Sequence, residues 1–181
     1  MVEAAASSQF ITFTPEMAKF ADTSSARNIV PHCQMVGGAG DPHFRESLDI
    51  SAHSKSLKPR VLYVPGIVID QRELYPPLPT CSIYLDWQRK VADTLSKMPI
   101  LPAVKPHPEG LFRGKKYPLE DIIRVESGLF EKAMKEFDLF IFDYPISTTF
   151  WVALCSHAPI VLLDLGLAQY RPEISEILRN R

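Results

Sequence analysis

From residue 60 onward, short runs of consecutive apolar residues alternate with longer stretches whose apolar residues recur every three or four positions. The runs VLYVP (61–65), ILPAVK (100–105), LFIFDY (139–144) and PIVLLDL (159–165) predict strands, and IIRVES (122–127) predicts a further one. Apolar runs without alternation read as strands covered on both faces, the habit of a parallel sheet wrapped by helices. Between them, SIYLDWQRKVADTLSKM (82–98) predicts a helix with Tyr84, Trp87, Val91 and Leu95 on one face, stopped by Pro99. Residues 129–137, 147–156 and 170–180 predict three more helices. Strand–helix alternation of this kind implies an α/β, Rossmann-like open parallel sheet with helices on both faces.

The rest of the chain is patterned differently. Residues 1–48 mix weak apolar patches with small residues and a turn-rich GGAGDPHF, and residues 49–59 are polar without periodicity, as in a linker. Residues 60–181 then form the α/β domain. Its first strand is followed by a long loop, residues 67–80, that holds Pro76, Pro77 and Pro79.

Composition narrows the function classes. Hydrophobic residues make up 46% and charged residues 23% of the 181 residues, which is a globular balance. A formal net charge of −1 supplies no long-range pull on nucleic acid or an acidic membrane, so any anion site must be built locally. No apolar run approaches the ~20 residues of a membrane span, and residues 1–13 lack a signal-peptide pattern. Cys33, Cys81 and Cys155 are odd in number and widely spaced, which reads as reduced thiols in a cytoplasmic protein. His32, Cys33 and His43 have no zinc spacing, GGAG at 37–40 is not a dinucleotide fingerprint, and neither a metal nor a cofactor is expected.

In open parallel sheets the ligand lies beyond the carboxyl ends of the strands. Two segments there carry chemistry. KPHP (105–108) places Lys105 and His107 in a proline-stiffened projection, suited to pairing with a diphosphate. DYPISTTF (143–150) leads from a strand into a helix, with Ser147 or Thr148 as its cap and the hydroxyls of Ser147, Thr148 and Thr149 beside unpaired first-turn amides. Asp70, Gln71, Arg72 and Glu73 read as a solvated loop, Arg113, Lys115 and Lys116 as a solvated turn, His157 as a loop residue and Asp164 as a turn cap.

The run VLYVPG, a helix with WQRK, VKPHPEG, then DLFIFDYPISTTFWVAL and APIVLLD is similar to the C-terminal half of bacterial surface-carbohydrate and capsule glycosyltransferases of GT-B architecture. The same layout resembles the glycerophosphotransferases of teichoic acid synthesis. The resemblance covers residues 59–164. It implies that residues 60–181 are the nucleotide-sugar-binding half of a two-domain enzyme, and that residues 1–48 are a remnant of the N-terminal domain. By this resemblance Lys105, His107, Ser147, Thr148 and Thr149 hold the donor's diphosphate, Asp143 and Tyr144 shape its pocket, and the catalytic base belongs to the other domain. Its partners would be a nucleotide-sugar donor and a glycan acceptor; the chain alone would be inactive, its exposed cleft face open to self-association. Peripheral membrane contact is left open. Relatives often carry an acidic residue where this chain has Val152. The alternatives are an epimerase or phosphotransferase with the same cleft, or a degenerate nucleotide-binding or interaction module without catalysis.

Overall fold

A computed structural model of the chain describes residues 9–12, 19, 34–37, 57–69 and 79–180. The backbone divides into two units, Met1–Glu46 and Ser47–Arg181. In the first, β1 (Gln9–Thr12) pairs in parallel with β2 (Gln34–Gly37), Gln9 opposite Gln34. GGAG beyond Gly37, His32, Cys33, His43 and the loop residues Asp70, Gln71, Arg72 and Glu73 lie outside the described residues.

The second unit is built on five parallel strands: β3 (Arg60–Val64), β4 (Leu101–Val104), β5 (Arg124–Val125), β6 (Leu139–Phe142) and β7 (Ile160–Leu162). Their order across the sheet is β5-β4-β3-β6-β7, with β3 paired to β4 and β6 on either side. The helices are α1 (Cys81–Ser96), α2 (Phe130–Ala133), α3 (Thr148–Leu154) and α4 (Pro172–Asn180). This is the α/β Rossmann-like arrangement expected from the sequence.

Strand alternation explains how both faces are filled. Val61 and Tyr63 of β3, with Val104 and Ile141, share one apolar cluster with Ala92 and Leu95 of α1 and with Tyr117, Leu119 and Ile123. On the other face, Phe140 and Phe142 meet the edge of Phe130 from α2, and Phe142 meets Phe150 from α3. Each large side chain removed from water in this way contributes roughly 1.5–3 kcal/mol.

Four details differ from the sequence pattern. The buried face of α1 is Tyr84, Gln88, Ala92 and Leu95, while Trp87 and Val91 are half-buried. The helix is rotated because Gln88 goes into the core with its amide satisfied there. The strand expected at residues 122–127 is reduced to Arg124–Val125, and the helix at 129–137 to one turn, Phe130–Ala133. β7 is an edge strand with Val161 40% exposed, so its continuous apolar run is not buried on both sides. Among the described residues, no helix is long and apolar enough to cross a membrane.

Candidate functional site

The strand order reverses direction between β3 and β6. One crossover from β3 leads through α1 to β4, and the other side of β3 is taken by β6, so the loops after β3 and β6 diverge from neighbouring points. Such a switch point is where open α/β sheets bind ligands. In register, Tyr63 lies opposite Val104 on one side and Ile141 on the other. The segments that follow, Lys105 to Pro108 and Asp143 to Thr149, therefore leave the same carboxyl edge. β3 alone stands between them, a separation of about 10 Å at two strand spacings.

Beneath this edge lies a polar network that the sequence pattern does not reveal. The Asp143 carboxylate is fully buried and accepts four hydrogen bonds. Oδ1 takes the Gly66 amide at 2.9 Å and Tyr84 Oη at 2.7 Å, and Oδ2 takes Tyr63 Oη at 2.5 Å and Trp87 Nε1 at 3.2 Å. Gln88 Nε2 donates to the Gly66 carbonyl and its Oε1 accepts from Tyr117 Oη at 2.6 Å. Burial raises the Asp143 pKa, and the hydrogen bonds from Tyr63, Tyr84, Gly66 and Trp87 work in the opposite direction. Burial, followed by the field of Asp143, pushes the Tyr63, Tyr84 and Tyr117 hydroxyls well above the usual phenol range, which keeps them as donors. Asp143 thus pins the turn after β3, and α1, to the end of β6.

Gly66 is required at that turn by space. A Cβ there would stand 2.5 Å from Tyr84 Oη and 2.8 Å from Tyr144 Cβ. Gly110 has φ +106, and its neighbour Leu111 donates its amide to the Val68 carbonyl at 2.8 Å, folding the loop after β4 onto the loop after β3.

The other residues singled out from the sequence are distributed as follows. Lys105 continues the β4 ladder, its amide donating to the Tyr63 carbonyl at 2.8 Å, while its half-buried ammonium donates to the Gly128 carbonyl. Burial lowers its pKa, against the fields of Glu126 and Glu131. His107 is exposed, and its Nδ1 accepts the Glu109 amide at 3.1 Å. In the neutral ring that leaves the proton on Nε2.

Ser147 is the N-cap of α3: its Oγ accepts the Phe150 amide at 3.2 Å and the Thr149 hydroxyl at 3.1 Å, and donates to the Tyr144 carbonyl at 3.3 Å. Thr148 and Thr149 open the helix, where amides have no intrahelical acceptor. Tyr144 is half-buried and its phenol is raised by burial. Val152 is 2% exposed and faces the core.

Arg113 and Lys116 pair with Glu109 and Asp121 at 3.2 Å and 2.6 Å around an exposed turn at Gly114. Lys115 and His157 are exposed, and Asp164 Oδ1 accepts the Gly166 amide at 2.9 Å. Among the described residues no group of three or more His, Cys, Asp or Glu side chains forms a metal-binding cluster.

Set against protein-family models, curated proteins and solved structures, the chain matches none of them.

Proposed function

We propose that residues 60–181 bind the nucleotide-diphosphate portion of a glycosyl donor, as the donor half of a nucleotide-sugar-dependent glycosyltransferase of bacterial surface polysaccharide synthesis. The observation that carries this reading is the common edge: the loop bearing His107 and the helix start bearing Thr148 and Thr149 flank β3 at the switch point. A diphosphate set across that edge would meet the exposed His107 ring on one side. On the other it would meet the hydroxyls and first-turn amides of Thr148 and Thr149. Ser147 serves by holding the helix start open in this geometry, and Asp143 and Tyr144 by fixing the floor. Lys105 contributes its charge only if its ammonium leaves the Gly128 carbonyl.

Such a site would stabilise a departing nucleotide by electrostatics, with no covalent intermediate on the protein. A second reading, a nucleotide-binding module without catalysis, is favoured by two particulars: Val152 is buried, and Lys105 is turned toward Gly128 in the field of Glu126 and Glu131. A thermal-shift series with UDP, GDP, CDP, dTDP and CMP tests the binding both readings share, since a ligand specific to the folded state stabilises it by mass action. Stabilisation by a diphosphate and not by CMP is expected; an unchanged midpoint with all five would overturn both. Release of free nucleotide from a nucleotide sugar, assayed with the domain that carries the catalytic base restored, then separates them.

A further inference from the structure

A cavity of about 290 Å³ lies between α3, β7 and α4, lined by residues other than those of the site described above. It is at the small end of ligand pockets, which run from about 300 to 1,000 Å³. Its lining includes the apolar residues Phe150, Leu154, Ile160, Leu162 and Leu178. Its lining also holds two opposite charges, Asp164 and Arg179, both exposed, and among the described residues neither forms an ion pair. The Asp164 carboxylate is held by the Gly166 amide, in a turn that Gly166 makes at φ +68. Tyr170 lines the same cavity, its hydroxyl shielded and, among the described residues, without a hydrogen-bond partner, a state that is destabilising until a partner reaches it.

We propose that this cavity binds a small apolar α-amino acid, its carboxylate on Arg179, its ammonium on Asp164 and its side chain against the apolar lining residues. The argument is charge complementarity. An anion alone would be drawn to Arg179 and repelled by Asp164, and a cation the reverse. A wholly apolar ligand would strip water from both charges without replacing it. A zwitterion with an aliphatic side chain satisfies both charges and the apolar lining, and an amino acid matches the volume. This is separate from the nucleotide reading and does not depend on it.

The test is isothermal titration calorimetry of the whole chain with L-leucine, with isoamylamine, which lacks the carboxylate, and with isocaproate, which lacks the ammonium. L-Leucine is expected to bind, and each truncated analogue to bind more weakly by about tenfold or more, the loss of one charge-assisted contact. Asp164→Asn and Arg179→Gln change exposed side chains, so folding is retained, and circular dichroism verifies this. Each is expected to weaken L-leucine by a similar factor, Asp164→Asn without weakening isocaproate and Arg179→Gln without weakening isoamylamine. Absence of binding by L-leucine, equal binding by the three compounds, or indifference to both substitutions would overturn the proposal.

Discussion

The Gly66 amide donates to Asp143 Oδ1 across 2.9 Å, joining residues 77 positions apart at the point where the sheet reverses its strand order. Three further donors, Tyr63, Tyr84 and Trp87, complete the shell of a carboxylate that has no exposure to solvent. The floor of the candidate site is therefore fixed by buried hydrogen bonds, and its measurable properties follow from them.

Asp143→Ala leaves the Tyr63, Tyr84 and Trp87 donors without that acceptor, while the Gly66 amide keeps Tyr84 Oη at 2.7 Å. Each buried polar group stranded in this way costs about 1–3 kcal/mol, so a loss of at least 3 kcal/mol is expected on partial relaxation. Urea denaturation measures it. A loss below about 1 kcal/mol would mean that water enters the network freely.

Gly66→Ala is expected to destabilise by about 1–3 kcal/mol, because the added methyl meets Tyr84 Oη and Tyr144 Cβ well inside contact distance. Combining it with Tyr84→Phe, which removes the nearer atom, should recover part of that loss. Strict additivity of the two changes in a double-mutant cycle would contradict the clash as its cause.

The pH dependence has a definite sign. Burial raises the Asp143 pKa above its ordinary value of 3.8, so between 3.8 and the raised value the folded state holds a proton that the unfolded state has released. Stability from this group is greatest below 3.8 and falls as pH rises through the raised folded value. Unfolding midpoints of the wild type and Asp143→Asn, compared from acid upward, are expected to diverge in that direction, the wild type losing relative stability as the carboxyl ionises. A wild type that gains relative stability over the same interval would show that the four hydrogen bonds outweigh burial.

Much of the fold is written in the sequence and the network is not, for a physical reason. Apolar runs such as residues 61–65 and 139–144 announce strands because covering them is the main driving force of folding. Gln88 and Asp143 are polar residues in the core, and their burial depends on partners dozens of residues away, which no local periodicity records. Within α1 the signal was present in one respect. Gln88 falls four residues after Tyr84 and four before Ala92, on the buried stripe, whereas Trp87 stands to one side. The cap at Ser147 was legible, since a hydroxyl preceding an apolar helical stretch is the usual N-cap pattern. The capture of the Lys105 ammonium by the Gly128 carbonyl was not, because it depends on a loop beyond β5.

Tyr170→Phe removes a shielded hydroxyl that has no hydrogen-bond partner among the described residues, and whose pKa is pushed up to about 12 by burial and then by Asp164. The variant is expected to be as stable as the wild type or up to about 1 kcal/mol more so. A destabilisation above about 1 kcal/mol would reveal a hydrogen bond to that hydroxyl.

The central claim is that the loop after β4 and the start of α3 form one anion site, and an NMR titration of the chain with a nucleoside diphosphate tests it most directly. Saturable shifts are expected at the His107 ring and at the Thr148 and Thr149 amides, following one dissociation constant. His107→Ala should weaken that binding by about 1.5–3 kcal/mol, and because the ring is exposed, the unfolding midpoint should not move. Shifts confined to one of the two segments, or an affinity indifferent to His107→Ala, would contradict a shared site.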